Sequence, residues 1–345
     1  MAMTMFKPLV DRRESRESEK ADRGVEHESL LTKVLIRQET TLLLVMLAIG
    51  AFAASRSSLF LTGDNLLEIL RSTVIYFIIA CGAALLIIGG GLDFSAGAVF
   101  TLGSLMTCKI MVSGTPWPLA VLIGIGICCV VGLLNFSIIT FLHVPPIIAT
   151  LGTFYMLTGI DNLVTGGADV LPLPDSFQKV AQGSVAGVPN DVIIAVVIGL
   201  LFWFMLERTR FGVNVRALGG NRQAAVGNGL RVVRLDLSLY VIAAVAAGIA
   251  GVIYSSRVGA GQVTAGGTQT TFIAITAVLI GGVSLMGGLG TIPGIAVGAV
   301  LLSLIDNALV LSEIPPQYNN IVIGAILVCA VALDYLRRSR IYRRR

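Results

Sequence analysis

Charge is what this chain has least of. Of its 345 residues 13% are Asp, Glu, Lys or Arg and 55% are hydrophobic, about half the charged share of an ordinary soluble domain. With a mean hydropathy of +0.87, that excludes a soluble globular chain. Histidine is nearly missing: His27 stands in the polar N-terminal stretch and His143 at the end of an apolar segment. Neither has Cys, Asp or Glu at a spacing that would build a triad or a metal site, so no catalytic residue, no metal and no enzyme activity are expected. The five cysteines (Cys81, Cys108, Cys128, Cys129 and Cys329) all lie within apolar runs, which argues against a disulfide framework or a zinc site. A phosphate-cradling loop is lacking too. The glycine-rich GGVSLMGGLGTIPG (281–294) has no GK[ST] ending and no strand pattern before it, so no nucleotide or other cofactor is expected on this polypeptide. The net charge of +5 comes without a basic stripe interleaved with aromatics, which sets nucleic acid aside as a partner. Nor do the apolar runs alternate in ten-residue units as a transmembrane barrel requires.

What the chain does have is long apolar runs. Ten candidate spans stand at about 36–55, 66–88, 95–113, 117–141, 146–165, 190–206, 235–256, 270–284, 289–311 and 320–336. The expected fold is therefore all-α, a polytopic membrane protein of about ten transmembrane helices. Residues 1–34 are polar, without the apolar core of a secretory signal, and are expected to form a disordered cytoplasmic tail. Residues 35–336 form the transmembrane domain, and 337–345 a short basic cytoplasmic tail. Of 25 Lys and Arg, 20 fall in the N-terminal stretch, the 207–236 segment and the C-terminal tail. That asymmetry places all three on the cytoplasmic side of the membrane, both termini included.

The 207–236 segment, ERTRFGVNVRALGGNRQAAVGNGLRVVRLD, is the longest polar interruption. It carries six arginines against two acids. Gly219-Gly220-Asn221 reads as a turn opening a short helix from Arg222 to Val226. A short cytoplasmic helix without catalytic residues suits contact with another protein; the alternative is a solvated loop that only sets topology.

An internal repeat is expected at an offset of 170. It carries Pro145-Pro146 onto Pro315-Pro316 and the break Gly89–Gly97 onto Gly259–Gly267. Five spans separate matched elements, an odd number, so the halves would be inverted five-helix units. The break GGGLDFSAG (89–97) interrupts an apolar run, and irregular backbone at membrane depth survives only against protein or a water-filled cavity. Asp93 there either caps the next helix or contacts a solute. With Phe94, Ser95, Asn135, Thr150, Thr153, Asp306 and Asn307 it forms the candidate pathway, and polar groups without a ring of charge suit a neutral, hydroxylated solute better than an ion.

These motifs resemble the permease subunits of ABC importers of the ribose/xylose/arabinose class. GGGLDFSAGA (89–98) is similar to that family's GGIDLSVG, HVPPIIATLGT (143–153) to PxIATLGT, ALGGNRQAA (217–225) to GGNxxAA, and IGGVSLMGGLGTIPGIAVGA (280–299) to GGxSxxGGxGTxxG. The resemblance spans about residues 35–336. It implies a cytoplasmic ABC ATPase, a periplasmic or lipid-anchored sugar-binding protein and a second permease copy as partners in the lipid bilayer. The ATPase would be met through Gly219, Gly220, Asn221, Arg222, Ala224, Ala225 and Gly229. Phe94, Phe136 after Asn135, and Leu289 are larger or more apolar than the family pattern, and they leave the solute's identity open. The competing class, a secondary transporter, would work without an ATPase and carry an intramembrane ion-coupling acid.

Overall fold

The structure, a computed structural model, describes residues 38–315 and 317–342, with side chains for 42–315 and 317–332. The expected tails at 1–34 and 343–345 lie outside the described residues. Two compact units divide between Val45 and Met46. Of the first only the opening of α1 is described; the second holds all the other elements.

The elements in order are α1 (Gln38–Arg56), α2 (Gly63–Ile88), α3 (Ala96–Val112), α4 (Trp117–Phe141), α5 (Pro146–Thr165), α6 (Asp175–Gln182), strands β1 (Ser184–Val185) and β2 (Val188–Pro189), α7 (Asn190–Arg208), α8 (Arg210–Gly220), α9 (Arg222–Gly227), α10 (Val232–Val258), α11 (Thr268–Ile280), α12 (Ile292–Leu311) and α13 (Gln317–Tyr342). Six of them (α2, α4, α5, α7, α10 and α12) are long and apolar enough to cross a membrane, and four shorter apolar helices lie in α1, α3, α11 and α13. Proline sits in the first turn of α4, α5 and α12, where its missing N–H costs nothing. The segment between α5 and α7 holds what the apolar pattern could not announce: α6 and a two-residue antiparallel hairpin. At the far end, α13 continues to Tyr342, so residues 337–342 are helical.

The bundle is centred on α10, which packs on α2, α3 and α4. The reason is in its sequence. AAVAAGIAG (243–251) leaves no large side chain on the packed faces, and the neighbours meet it with glycines. A Cβ placed on Gly82 of α2 would come within 2.7 Å of the Ala246 Cβ, and one on Gly132 of α4 within 2.8 Å of the Val241 Cα. Small residues at such interfaces let backbones approach and gain dispersion energy where lipid supplies no hydrophobic drive. Gly82 faces Ala246 while Gly89, seven residues on, faces Leu239, so α2 and α10 run antiparallel.

The helix starts recur. Those of α2, α3, α4 and α5, at 63, 96, 117 and 146, lie 169, 172, 175 and 171 residues before those of α10, α11, α12 and α13, at 232, 268, 292 and 317. Packing recurs as well: α10 on α3 and α4 is matched by α2 on α11 and α12, and α3 on α4 and α5 by α11 on α12 and α13.

Candidate functional site

Two interruptions of the bundle meet. The break after α2 and the break after α10 fold inward, so α3 and α11 begin inside the bundle instead of at its ends. Gly97 in the first turn of α3 lies against Gly267, the residue before α11. Its N–H donates to Thr271 Oγ1 at 2.9 Å, and a Cβ on Gly97 would overlap the Gly267 carbonyl. From this point the helices diverge: α3 ends with Lys109 bonded to the Val164 carbonyl, and α11 ends with Gly281 packed on Gly294 and Ile295. Thr271 is not among the residues the sequence pattern singles out, although it stands 170 residues after Thr101.

The first break is locked by buried polar groups from three helices. Asp93 is 6% exposed, and its Oδ1 accepts from Ser95 N (2.7 Å) and Ser95 Oγ (2.6 Å). Asn135, fully buried on α4, donates from Nδ2 to Ser95 Oγ at 2.9 Å. Thr150 of α5 accepts from Phe94 N at 3.0 Å and returns its own proton to the Pro146 carbonyl. The N-cap position of α3 belongs to Ser95, not to Asp93. Asp93 closes a two-residue turn onto the cap, because its short side chain reaches the N–H two residues on.

The other candidate pathway residues sit elsewhere. Thr153 is buried and bonds its own helix at the Ala149 carbonyl. Asp306 and Asn307, both half-buried, face the opposite end of the bundle from the arginine-rich segment. Asp306 accepts from Asn319 Nδ2 (2.5 Å), and Asn307 exchanges amide hydrogen bonds with Asn65 (2.8 and 3.1 Å). The structure thus brings together Asp93, Phe94, Ser95, Asn135 and Thr150 and leaves Asp306 and Asn307 apart from them.

The arginine-rich segment folds differently from the expected turn and helix. α8 runs through both glycines to Gly220, and the reversal falls on Asn221 alone (φ −159°, ψ 101°), whose Oδ1 accepts from Ala224 N at 2.9 Å to cap α9. Gly219 is the glycine under constraint. A Cβ there would overlap the Ile88 carbonyl oxygen and come within 2.7 Å of Gly288 N, whereas nothing lies within 4 Å at Gly220. Gly220 is helical and not part of a turn; left-handed backbone falls instead on Gly229 (φ +78°). Gly288 N donates to the Ile88 carbonyl at 2.8 Å, so the end of α8, the 281–291 loop and the start of the first break form one contact.

Around that contact Ala225 is buried, Ala224 is exposed, and Val226, Met286 and Leu289 expose 57%, 66% and 63% of their surface. Leu289 therefore lies beside the arginine-rich segment and not in the interior. Arg222 pairs with Asp236 at the start of α10 (2.5 and 3.2 Å), and that hydrogen-bonded carboxylate holds its guanidinium pKa above the usual value. Arg216 pairs with Glu207. At the opposite end Arg71 bonds buried Asp191 (3.0 Å) and the Ala181 carbonyl (3.2 Å), and α6 is pinned to α10 by Ser256. Among the described residues no group of three His, Cys, Asp or Glu could hold a metal ion.

A polytopic bundle with two inward breaks that meet, the first locked by buried polar groups, and a cationic segment at one end describes a membrane protein of the transporter kind, and its family makes it a permease. The chain belongs to the family described as branched-chain amino acid transport system / permease component, whose model matches residues 65–331. It is 31% identical over 297 residues to the D-allose transport system permease protein of Escherichia coli strain K12, covering 86% of this chain and 91% of that one. It is 35% identical over 277 residues to the ribose import permease protein of Bacillus subtilis strain 168, covering 80% and 86%. With the galactose/methyl galactoside import permease protein of Haemophilus influenzae it shares 31% over 325 residues, 89% and 96% of the two chains. No solved structure matches it.

Proposed function

We propose that the chain is the membrane-spanning subunit of an ATP-driven importer of a small sugar or sugar-like solute. A cytoplasmic ABC ATPase, an extracytoplasmic binding protein and a second permease copy complete the assembly, and the chain itself catalyses no reaction. Ten crossings in two inverted five-helix halves, with both termini cytoplasmic, put the arginine-rich segment inside. The recurring helix starts and the antiparallel α2 and α10 support that topology, as does the positive-inside asymmetry. The family membership and the printed sugar specificities of the relatives support the solute class.

One observation carries the coupling mechanism: Gly219 sits on the Ile88 carbonyl, at the root of the 89–97 break. In this reading α9 and the exposed Val226, Met286 and Leu289 form the surface that meets the ATPase. Asn221, Ala224, Ala225 and Gly229 shape α9, and Arg222 ties it to α10. ATP-driven movement of the ATPase then shifts α8 and α9, and the shift passes through Gly219 and Gly288 into the break. Asp93, Ser95, Asn135 and Thr150 hold the break in register, Phe94 flanks the route, Thr153 lies one turn further along α5, and Asp306 and Asn307 hold the route's outer end. The face around α6 and the β-hairpin, stiffened by Arg71–Asp191, receives the binding protein.

The test is co-purification with the ATPase. Val226→Glu is expected to abolish ATPase binding while the permease stays monodisperse, because an exposed position tolerates the charge but a protein interface core does not. Wild-type binding by that variant would remove α9 from the interface.

A further inference from the structure

At the meeting of the two breaks, the ends of α3 and α11 are finished differently. Both helices present N-terminal N–H groups to the interior, each end equivalent to roughly half a positive charge. For α3 the compensation is internal: Asp93 and Ser95 close the end, Thr150 takes the Phe94 N–H, and all three side chains are buried. At the 170-residue offset the counterparts are Val263, Ala265 and Asn320. No carboxylate stands at the matching position 263; Asp169, from the segment between α5 and α6, accepts from Val263 N at 3.0 Å instead, and the N-cap position of α11, Gly267, like Ser95 on α3, makes no side-chain cap hydrogen bond. Asn320 does not fold onto the break as Thr150 does. With Thr268, Gln269, Phe272 and Ile323 it lines an open cavity of about 450 Å³ between α11 and α13. Thr268, Gln269 and Asn320 are exposed, and their side chains have no hydrogen-bond partner among the described residues. Phe94 closes one flank, its ring 5.9 Å from that of Phe272 in an edge-on arrangement.

We infer that this cavity is a solute subsite for a small neutral polyhydroxylated molecule, with Gln269 and Asn320 hydrogen-bonding its hydroxyls and Phe272 packing on its apolar face. The inference rests on the import reading above and gives it a second, sharper address. The chemistry is specific in kind. The cavity is lined by no ionised side chain, so an ion would be left without a countercharge. Unpartnered amides between apolar helices of a membrane protein are costly unless water or a hydroxylated ligand meets them. A hydroxyl oxygen can also accept from the first-turn N–H groups of α11, which a helix leaves without partners of its own.

The test has two arms. In a chain whose Cys129 and Cys329 are replaced by serine, Gln269→Cys and Asn320→Cys are treated in membranes with a charged, water-soluble methanethiosulfonate. Leu200→Cys, on the exposed apolar face of α7, is the control. Both cavity thiols are expected to label and the control not to. Failure of the cavity thiols to label, or a copy-to-copy disulfide formed by either one, would overturn the inference, since lipid or the second permease would then cover the site. In the second arm, radiolabelled D-ribose, D-allose and D-galactose are offered to proteoliposomes holding the complete importer. Gln269→Ala and Asn320→Ala are expected to lower uptake about tenfold, the scale of one or two lost hydrogen bonds, with ATPase binding unchanged. If the wild type imports a sugar and both variants do so at the same rate, the subsite is wrong and the permease reading stands. If the wild type imports none of the three, the import reading is what fails, and the labelling arm still decides the cavity.

Discussion

The residues that matter most in this chain are polar groups placed where lipid or apolar packing surrounds them. Asn135 shows how such a group is tolerated. It is fully buried, yet its amide extends a relay through Ser95 Oγ to the Asp93 carboxylate. Removing a partner from such a relay leaves the others unsatisfied, at about 1–3 kcal/mol. Ser95→Ala, which strands the Asn135 amide and takes one of the two bonds from the Asp93 carboxylate, is therefore expected to lower the thermal unfolding midpoint in detergent by more than Thr153→Ala, which removes only a bond to its own helix. Equal midpoints for the two variants would mean the relay contributes nothing. The residue types were legible in the sequence, since a polar side chain in an apolar run must be satisfied somewhere. Their partners were not, because Asn135 and Ser95 are 40 residues apart and Gly97 and Thr271 are 174 apart, and only tertiary packing joins them.

At the scale of elements, the apolar runs fixed most helices closely. The expected spans 117–141 and 146–165 are α4 and α5 as observed, whereas 270–284 proved to be α11 at 268–280. The overrun has a physical cause: Gly281 and Gly282 do not break the apolar run, but Gly281 is the C-cap, packed on Gly294 and Ile295 of α12, and Gly282 turns the chain away with left-handed backbone (φ +89°). α6 escaped notice because it is one short amphipathic helix lying over the end of α10, with Phe177 buried and its other faces wet. The arginine-rich segment stands out in the sequence for its charge, but which of its two adjacent glycines meets the bundle does not. Gly219 and Gly220 are indistinguishable in sequence, and only the approach of Ile88 tells them apart. Gly219→Val is accordingly expected to uncouple ATP hydrolysis from transport or to destabilise the loop, since overpacking against backbone costs about 1–3 kcal/mol or more. Gly220→Val, with open space around it, is expected to keep at least half of wild-type transport. A reversed order of the two in a transport assay would relocate the contact.

For the whole molecule, the recurring helix starts and the head-to-head meeting of Gly97 with Gly267 support a two-fold pseudo-symmetric design with a break in each half. Gly97→Leu is expected to prevent assembly of the bundle, since its side chain would occupy the Gly267 backbone; recovery of a monodisperse, transport-competent variant would show that the halves need not meet. In sequence the expected repeat rests on its prolines and glycines. What these could not show is that the two breaks are bonded differently, the first by Asp93 within it and by Thr150 of α5, the second by Asp169 and Val170 from the segment after α5.

Above all, this permease is expected to move a sugar only when an ATPase drives it through the Gly219 contact. Proteoliposomes containing the permease, its ATPase and its binding protein should take up radiolabelled sugar when ATP is supplied on the ATPase side, and should stop when the ATPase, the binding protein or ATP is left out. Uptake by the permease alone, sustained by an imposed proton or sodium gradient without ATP, would contradict ATP-driven import and make the chain a secondary transporter.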